Sequence, residues 1–338
     1  MVKILENYDL TKLNTFGVSA KARYFAEVVS EESAGELFKN RIFRKNKRLF
    51  LGSGSNVLFT RDFAGIVVLN KLKGMEVLKE DSEKVRLKAM SGESWSELVD
   101  FCADRRWWGI ENLALIPGTV GAAPIQNIGA YGAELKNVLV QLEAYDLNTG
   151  EKKIFKNKEC NFGYRSSIFK KKLKGRYFIL SVLLELKKSS KANTAYRVLS
   201  EYLKENNIII RGPKDINAAV SAIRRSKLPD PKKIGNAGSF FKNVLISEAK
   251  LARLQKKFPA MPHFREEKAV KIPAGWLIEQ CGWRGKNFGR AGVHEKQALV
   301  LVNLGGASGM EIKKLSDRIK NSVRKKFGLL LETEVNIC

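Results

Sequence analysis

The first 70 residues carry a pattern of apolar and polar positions that predicts strands around a helix. Residues 22–29 are rich in apolar side chains and predict a strand, and Ser30 is suited to cap a helix that continues to Lys39. Residues 48–52 predict a second short strand, and a turn and a third strand follow up to Asn70. This order of elements is typical of the start of a mixed α/β chain.

Residues 71–188 contain mostly segments of strand length. These strands are predicted at residues 85–90, 138–145 and 177–186. Asn-Thr-Gly at residues 148–150 favours a turn between two of them. Ser94 and Glu97 have the spacing of a capping box and predict one helix inside the block. We therefore expect this block to be mainly β-sheet.

Helical patterns dominate after Lys188. Three helices are predicted at residues 194–206, 215–227 and 247–258. Ser308 and Glu311 form a second capping box, and Gly328 ends the helix that they begin. The buried face of this helix is predicted to contain Ile312, Leu315, Ile319 and Val323. Residues 329–337 then predict a final strand.

These changes of pattern predict three closely joined domains. The predicted domains are residues 1–70, 71–211 and 212–328, with the strand at residues 329–338 returning to the first half of the chain. A chain of 338 residues with 44% hydrophobic and 28% charged residues is long enough for two or three domains and is typical of neither disordered nor fibrous proteins. No internal repeat was found.

The chain is strongly basic, with 61 Lys and Arg against 35 Asp and Glu and a net charge of +26. The basic runs at residues 41–48, 170–176 and 313–326 are scattered over several predicted elements, and no aromatic-interleaved RNA-binding signature accompanies them. Such a charge fits a nucleic-acid partner, an anionic small-molecule substrate or a lysine-rich proteome, and its scattered distribution favours a solvated basic surface over a specific nucleic-acid partner.

Targeting, membrane and metal-binding signals are not found in the sequence. The N-terminal residues lack the apolar core of a secretory signal, and the longest apolar stretch, residues 177–186, is about half of what a membrane span needs. Four dispersed cysteines and two histidines predict neither disulfides nor a zinc site. We expect a cytoplasmic protein without a membrane contact or a bound metal.

Two segments rich in small residues are candidate ligand sites. Residues 52–56, Gly-Ser-Gly-Ser-Asn, follow a short apolar strand and form either a phosphate cradle or a tight hairpin. A Rossmann fingerprint would need glycine where Val57 stands, and no P-loop lysine follows. Residues 116–132 contain so many Gly and Ala residues that either a flat ligand lies against them or backbone segments cross closely there.

A third cluster, residues 235–243, places the Ser239 hydroxyl between small residues and a bulky pair. It lacks the Gly-x-Ser-x-Gly elbow, and neither histidine has an evident acidic partner, so a Ser-His-acid triad is disfavoured. If Ser239 has a chemical role, proton transfer is the role that we expect.

Together with other motifs in the same order, these three segments resemble the UDP-N-acetylenolpyruvoylglucosamine reductase family. The matching segments are residues 14–17, 52–56, 116–132, 163–167, 227–230, 235–243, 274–279, 294–302 and 331–335. Residues 126–132 and the segment that carries Tyr196 are similar to the longer of the two types in this family. The resemblance covers nearly the whole chain.

The resemblance implies an α+β fold, in which a two-part FAD-binding module of the vanillyl-alcohol-oxidase type is joined to a third, α+β substrate-binding domain. It also implies one non-covalent FAD per chain and NADPH as co-substrate. The FAD-binding residues implied in this way are Gly52, Ser53, Gly54, Ser55, Asn56, Pro117, Gly118, Thr119, Gly121, Ala122, Gly129, Ala130, Tyr131, Gly132 and Arg224. The absence of a Rossmann glycine at Val57 fits this kind of FAD site.

The implied reaction reduces the enolpyruvyl ether of UDP-N-acetylglucosamine-enolpyruvate to UDP-N-acetylmuramate in peptidoglycan precursor synthesis, with hydride delivered from flavin N5. Arg165 and Glu334 are implied at the substrate carboxylate, and Ser239 is implied as the proton donor. A guanidinium offers a carboxylate two parallel donors. Glu334 beside that carboxylate would have to be protonated or strongly hydrogen-bonded, because two bare carboxylates repel each other.

The implied substrate contacts are Tyr196, Lys227, Asn243, Arg284 and Gln297. Arg284 stands where relatives carry a lysine, so a bidentate phosphate contact would replace a point charge. Without the resemblance, Arg165 fits a surface arginine, Glu334 a strand-end charge and Ser239 a turn residue. A sugar or alcohol oxidase of the same fold is the alternative enzyme, disfavoured by the lack of a histidine placed for covalent flavin attachment. We expect a monomer.

Overall fold

The computed structural model describes residues 2–266 and 269–338. Met1, Glu267 and Lys268 lie outside the described residues. The chain divides into two compact units. The first unit contains Met1–Tyr8, Ala22–Ser53 and Ala64–Ser226. The second unit contains Asp9–Lys21, Gly54–Phe63 and Lys227–Cys338. This division into two units does not test the three domains predicted from the sequence, which stay a prediction.

The described residues form eight α-helices and twenty strands, numbered in chain order. The helices are α1 (Glu31–Lys39), α2 (Arg41–Lys45), α3 (Trp95–Asp104), α4 (Arg197–Glu205), α5 (Pro213–Lys227), α6 (Glu248–Lys257), α7 (Ala274–Gln280) and α8 (Gly309–Phe327). The strands from the first half of the chain are β1 (Ile4–Asp9), β2 (Lys21–Val28), β3 (Arg48–Leu51), β4 (Val57–Leu58), β5 (Phe63–Asn70), β6 (Met75–Glu80), β7 (Lys84–Met90), β8 (Gly129–Ala130), β9 (Ala133–Glu134), β10 (Leu139–Asp146) and β11 (Lys152–Lys156). The remaining strands are β12 (Tyr177–Lys187), β13 (Gly235–Ser239), β14 (Val244–Ile246), β15 (Phe264–Arg265), β16 (Val270–Ile272), β17 (Asn287–Phe288), β18 (Ala291–Val293), β19 (Val300–Asn303) and β20 (Asn336–Ile337).

The first unit contains a four-stranded sheet in the order β1-β2-β5-β3 and a five-stranded sheet in the order β11-β10-β12-β7-β6. The strand β12 is buried on both faces, which explains why its sequence is almost continuously apolar. Phe178 and Leu180 pack into a core with α1, α2 and the first sheet, whereas Ile179 and Val182 pack into a second core with α3. The pairing of β12 with β10 shifts register between Ile179 and Ser181, so the strand changes the face that it presents to each core and thereby joins the two cores of this unit.

One ion pair connects the end of β10 to the residue that precedes β12. Arg176 donates from Nε and Nη2 to Asp146 Oδ2 at 3.0 and 2.8 Å, and the Asp146 residue is 5% exposed. These hydrogen bonds lower the pKa of Asp146 from an ordinary 3.8 to about 2. A carboxyl group with a lowered pKa in the folded state stabilises the fold at pH values above its unfolded pKa, and this contribution is lost as the pH falls.

We therefore expect Arg176→Ala to lower the free energy of unfolding at neutral pH, because the buried Asp146 carboxylate loses its two hydrogen bonds from a guanidinium that is itself 42% exposed. The difference from wild type should shrink as the pH falls through the interval between 3.8 and about 2. Lys214→Ala is the control, since Lys214 and Asp104 form a pair that is exposed on both sides and screened by solvent, so its loss should change the free energy of unfolding less. Chemical unfolding at several pH values measures both, and a constant difference down to pH 2 would contradict the assignment.

The second unit contains the sheets β13-β19-β18-β17 and β14-β16-β15 and the parallel pair β20-β4. Helix α8 packs on β18 and β19 through the four apolar residues predicted from its periodicity, all of them fully buried. Ser308 and Glu311 form the predicted capping box, and Gly328 ends the helix in the left-handed conformation. The predicted face and both ends of this helix are confirmed.

Three predicted elements differ from the structure. The helix expected from residue 194 begins only at Arg197. At α3 the Ser94 hydroxyl accepts from Glu97 N, but no reciprocal bond of the Glu97 side chain is found among the described residues. The final strand is limited to β20, because residues 332–336 bond to two separate segments and form no continuous ladder: Lys242 N donates to Glu332 O, and Asn336 N donates to Asn56 O.

The helix α2 was missed, because Asn40 caps a five-residue segment that sequence analysis treated only as part of a basic run. None of the helices within residues 2–266 and 269–338 combines the length and the apolar character that crossing a bilayer requires.

Candidate active site

The predicted site residues are divided between the two units, and each unit is described by itself. The first unit holds Gly52, Ser53, Pro117, Gly118, Thr119, Gly121, Ala122, Gly129, Ala130, Tyr131, Gly132, Arg165, Tyr196 and Arg224. The second unit holds Gly54, Ser55, Asn56, Lys227, Ser239, Asn243, Arg284, Gln297 and Glu334. The boundary between the units falls inside the turn at residues 52–56.

Close packing accounts for several of the predicted glycines. A Cβ atom at Gly52 would lie 2.5 Å from Thr119 Oγ1, and one at Gly121 would lie 2.5 Å from Ser91 Cβ. Gly121 N also donates to Ser91 O at 2.8 Å. The alternative of closely crossing segments is therefore correct at these positions. The crossing also joins two of the predicted FAD-binding segments, since Gly52 contacts Thr119.

The second half of the turn at residues 52–56 is equally constrained. Gly54 has φ +65°, and a Cβ atom there would lie 1.9 Å from Leu13 O, so no other residue fits without moving the backbone. Gly54 O accepts from Thr15 N at 3.1 Å, and Asn336 N donates to Asn56 O at 3.1 Å. The turn is thus a rigid, backbone-bonded loop in which a phosphate could approach main-chain N–H groups.

The segment at residues 116–132 combines buried and exposed positions. Pro117 and Ala122 are exposed, whereas Thr119 and Gly121 are buried. Gly118 O accepts from Trp95 N at 3.1 Å, at the first residue of α3. A flat ligand could therefore lie only along part of this segment, at the surface that Pro117 and Ala122 leave open.

Arg165 contacts the small hairpin of β8 and β9 inside the first unit. Its Nη2 donates to Gly129 O at 2.6 Å, and a Cβ atom at Gly129 would lie 3.2 Å from Arg165 Nη1. Arg165 itself has φ +49°, at the tip of a turn in which Gly163 and Ser166 exchange backbone hydrogen bonds of 3.0 and 3.1 Å. The predicted catalytic arginine is therefore held in a strained turn against a predicted FAD-binding glycine.

Tyr131, Tyr196, Arg165 and Arg224 form an aromatic and cationic cluster in the first unit. The rings of Tyr131 and Tyr196 pack edge to face with centroids 5.4 Å apart, and the Tyr196 residue is 46% exposed. Burial raises the pKa of Tyr131. Burial lowers the pKa of Arg224, and the positive charge of Arg165 lowers it further. Two guanidinium groups thus share a region that is poorly solvated.

The hydrogen bonding of Arg224 Nε indicates whether a ligand suits this cluster. This atom is buried and has no hydrogen-bond partner among residues 2–266 and 269–338. An unpaired buried donor costs about 1–3 kcal/mol, and two neighbouring positive charges add repulsion. An acceptor-rich or anionic group, such as the ring system of FAD or a substrate carboxylate, would satisfy both requirements. The residues present therefore fit the predicted group.

Two buried asparagines in this region were not assigned from the sequence. Asn112 donates from Nδ2 to Tyr131 O at 2.8 Å and so holds the backbone of that tyrosine, which has φ +48°. Asn127 is fully buried and donates to Glu134 Oε2 and Gly163 O at 3.0 and 3.3 Å. Nothing in the local sequence indicated that either asparagine is buried or which distant groups it contacts.

Ser239 and Glu334 lie on neighbouring backbone segments of the second unit. Ser239 ends β13 and pairs with Val300 of β19, and Phe240 O accepts from Glu334 N at 2.9 Å. Gly238 before Ser239 has φ +65°, so the chain turns sharply there. The Ser239 hydroxyl is half-buried and makes no hydrogen bond within the part of the chain that the structure describes. Its proton is therefore not committed to a protein acceptor.

Asn243 and Gln297 are brought together at the first residues of α7. Asn243 Oδ1 accepts from Ala274 N at 3.1 Å, and a Cβ atom at Gly275 would lie 3.3 Å from Gln297 Oε1. Two amide side chains at one point can offer both donors and acceptors to a ligand such as a uracil ring. The sequence predicted both residues, but only the structure places them together.

Lys227 and Arg284 are exposed. Lys227 ends α5, and Arg284 lies after α7, where its Nη1 is 3.5 Å from Glu279 Oε1. The guanidinium therefore has a carboxylate neighbour that a diphosphate would have to displace or share. No group of three or more His, Cys, Asp or Glu residues suited to a metal ion occurs among the described residues.

We expect Gly52→Ala to reduce both FAD content and thermal stability. The added methyl group lies at the 2.5 Å contact with Thr119 Oγ1, and overpacking of this kind costs about 1–3 kcal/mol. The control is Gly35→Ala in α1, where the nearest atom is 3.8 Å away and alanine favours the helix. The flavin-to-protein absorbance ratio and a melting curve measure the two effects. Full flavin content and wild-type stability in Gly52→Ala would contradict the role of this contact.

Comparisons with known proteins identify two matching sequence models. The model of the UDP-N-acetylenolpyruvoylglucosamine reductase C-terminal domain matches residues 230–338, and the model of an FAD binding domain matches residues 28–154. The UDP-N-acetylenolpyruvoylglucosamine reductase of Flavobacterium johnsoniae is 46% identical over 99% of this chain and 100% of that protein. The reductase of the same name from Amoebophilus asiaticus is 47% identical over 98% of both chains.

Solved structures agree on the fold. The crystal structure of UDP-N-acetylenolpyruvylglucosamine reductase from Thermus caldophilus aligns with a TM-score of 0.67 at 22% identity, over 100% of this chain and 98% of that one. A solvent-stable cholesterol oxidase aligns with a TM-score of 0.50 at 11% identity, over 98% of this chain and 87% of that one. The predicted α+β fold with an FAD-binding module of the vanillyl-alcohol-oxidase type is confirmed.

The matched FAD-binding domain contains the crossing of Gly52 with Thr119 and the Arg165-contacting residue Gly129, and the matched C-terminal domain contains Ser239 and Glu334. Identity of 46% over essentially the full length of both chains shows descent from a common enzyme. The chain therefore belongs to the UDP-N-acetylenolpyruvoylglucosamine reductase family, oxidoreductases of peptidoglycan synthesis whose cofactor is FAD and whose co-substrate is NADPH.

Proposed function

We propose that this chain uses NADPH to reduce UDP-N-acetylglucosamine-enolpyruvate to UDP-N-acetylmuramate. The observation that carries the proposal is the backbone hydrogen bond from Glu334 N to the carbonyl of Phe240, the residue that follows Ser239. This contact gives one unit both a hydroxyl and a carboxyl group for chemistry at an enol ether and its carboxylate. Bound FAD would supply a carrier that accepts a hydride from NADPH and returns it to the substrate.

Arg165 is proposed to bind the substrate carboxylate. Hydride addition to the terminal carbon of the enol ether builds negative charge on the neighbouring carbon and on its carboxylate. A guanidinium forms two parallel, charge-assisted hydrogen bonds with such a group, and it strengthens them as charge develops. The bond of Nη2 to Gly129 O uses one of the five N–H groups of the guanidinium.

Ser239 is proposed to deliver the proton to the carbon that becomes negative. A hydroxyl next to that carbon supplies the proton from one side, which water would do more slowly and without stereochemical control. The hydroxyl is free of protein acceptors within the described residues, and this supports donation to a ligand. Glu334 is proposed to contact the same carboxylate while protonated or hydrogen-bonded, because two ionised carboxylates would repel.

The remaining substrate contacts are proposed for Tyr196, Lys227, Asn243, Arg284 and Gln297. Lys227 and Arg284 suit the diphosphate, and Asn243 and Gln297 at the start of α7 suit a hydrogen-bonding ring or amide. Tyr196 is half-exposed and packs edge to face with Tyr131, so part of its ring is open to a ligand. FAD contacts are proposed for the glycine-rich segments and Arg224. The cytoplasmic location and monomeric state stay predictions.

An anaerobic titration tests the proposed function. Purified protein is expected to show a flavin spectrum, to bleach on addition of NADPH and to recover its colour when UDP-N-acetylglucosamine-enolpyruvate is added. Acid precipitation should leave all the flavin in the supernatant as FAD. A protein that bleaches with NADPH but stays reduced in the presence of the enolpyruvyl substrate would refute the proposed substrate, and flavin retained in the pellet would refute a non-covalent cofactor.

A further inference from the structure

Asn127 has an environment that sets it apart from the other asparagines of the first unit. It is fully buried, and its φ of +47° lies in the left-handed region that asparagine tolerates better than most residues. Its Oδ1 accepts from Lys136 N at 3.0 Å, and its Nδ2 donates to Glu134 Oε2 at 3.0 Å and to Gly163 O at 3.3 Å. One amide therefore joins the β8–β9 region to a turn that is 36 residues away in sequence.

That turn is the one that carries Arg165. Gly163 O already accepts from Ser166 N at 3.1 Å, so the carbonyl is satisfied within the turn itself. The second hydrogen bond, from Asn127, is not needed to pair a buried acceptor. Its effect is instead to fix the orientation of the turn relative to β8.

The tip of the same turn is held a second time. Arg165 Nη2 donates to Gly129 O at 2.6 Å, two residues after Asn127. The base of the turn and the guanidinium are thus both tied to residues 127–129. If the bond at the base were lost, Ser167 Oγ, which donates to Ile125 O at 2.7 Å, and the Arg165 contact with Gly129 O would still hold the turn near these residues, but the Gly163 carbonyl would no longer be fixed by a side chain.

We propose that Asn127 is a positioning residue for Arg165, acting through the Gly163 carbonyl. The inference rests on the proposed function, in which Arg165 binds the substrate carboxylate. A bidentate contact between guanidinium and carboxylate depends on alignment, and displacement by about 1 Å can reduce a rate by about 10²-fold. In this proposal Asn127 contacts neither reactant. It fixes the position of the Arg165 guanidinium.

Two variants separate the amide from the backbone conformation. Asn127→Gly keeps the left-handed φ at no steric cost and removes all three side-chain hydrogen bonds. Asn127→Asp keeps the shape and the acceptor for Lys136 N, but it replaces the donor to Gly163 O with an oxygen that faces both this carbonyl and the carboxylate of Glu134, so the contact becomes repulsive while both acids are ionised. The control is Asn157→Ala, because Asn157 Nδ2 likewise donates two hydrogen bonds, to Lys136 O and Leu139 O at 2.7 and 2.6 Å, and neither acceptor belongs to the turn.

The first readout is the pair of half-reactions in flavin-loaded enzyme, measured by stopped flow. We expect Asn127→Gly to be reduced by NADPH within about threefold of wild type and to be reoxidised by the enolpyruvyl substrate about 10–100 times more slowly. Added to Arg165→Lys, the same change should slow reoxidation by less than about twofold, because residues that act as a unit are not additive. Asn157→Ala should match wild type in both steps.

The second readout does not depend on catalysis. Phenylglyoxal modifies exposed guanidinium groups, and peptide mass spectrometry reports the rate at each arginine. Arg165 should be modified several times faster in both Asn127 variants than in wild type, while Arg284 in the second unit should react at an unchanged rate.

The inference is overturned if Arg165 is modified at the wild-type rate in Asn127→Gly, if both half-reactions slow equally, or if the effects of the two substitutions add fully. If Arg165→Lys by itself leaves reoxidation unchanged, the proposed function of Arg165 fails, and the modification rate alone then decides whether Asn127 positions the arginine. Faster modification would support positioning in that case, and an unchanged rate would refute it.

Discussion

The Ser239→Ala variant is expected to be reduced by NADPH at close to the wild-type rate and to be reoxidised by the enolpyruvyl substrate about 10²–10⁴ times more slowly. The first step transfers a hydride to the flavin and needs no proton on the sugar nucleotide, whereas the second leaves a carbon that must be protonated. The loss corresponds to about 3–5 kcal/mol of barrier. Stopped-flow absorbance at the flavin band, under anaerobic conditions, follows each step separately.

The substitution removes one oxygen atom from a half-buried position that makes no hydrogen bond within the described residues, so the fold should be retained. Ser322→Ala is the control, because the Ser322 hydroxyl only donates to Arg318 O on the exposed side of α8. Reoxidation of Ser239→Ala at the normal rate would remove Ser239 from the mechanism. Equal slowing of both half-reactions would show that Ser239 shapes the flavin site and does not donate the proton.

Arg165→Lys is expected to slow reoxidation by about 10²–10³-fold, the usual cost of removing one donor that stabilises developing charge. Lysine keeps a positive charge but cannot form two parallel hydrogen bonds with a carboxylate. The bond to Gly129 O, at 2.6 Å, also depends on the reach of the guanidinium. Reduction by NADPH should change little, and single-turnover rates over a range of substrate concentrations distinguish weaker binding from a slower step.

The control for this variant is Arg86→Lys, since Arg86 is an exposed arginine of β7 that pairs with Glu185. This variant makes the same arginine-to-lysine change outside the predicted site, so both of its half-reactions should proceed at wild-type rates. If Arg165→Lys is reoxidised as fast as wild type at saturating substrate and half-saturates at the same concentration, the carboxylate contact is assigned to the wrong residue.

The candidate site shows which chemical signals can be recognised in a sequence. Ser239, Glu334 and Arg165 were predicted because they lie inside motifs whose order resembles one family; that family is confirmed at 46% identity, while the roles of the three residues stay predictions. Asn127 and Asn112 were not found, because a single asparagine has no local signal of burial or of its distant partners. The glycines were recognised as special, but their reason was left open between a ligand and a close crossing.

Local sequence determined the elements whose stability depends on neighbouring residues. The helix α8 followed from its capping box, its periodic apolar face and the glycine at its end, all of which act within a few residues along the chain. The strand β12 was placed within one residue, because a long apolar run suits a strand that is buried on both faces. The fold class and the cofactor followed from the ordered motifs.

Only the tertiary structure decided what depends on segments far apart in sequence. It showed that Gly52 must be glycine because Thr119 occupies the space of a side chain, and that residues 332–336 form no long strand because their backbone groups bond to two different segments. It also showed that Gly129 faces the guanidinium of Arg165, 36 residues away. Such contacts are set by how already formed elements pack, and no periodicity or cap in the local sequence records them.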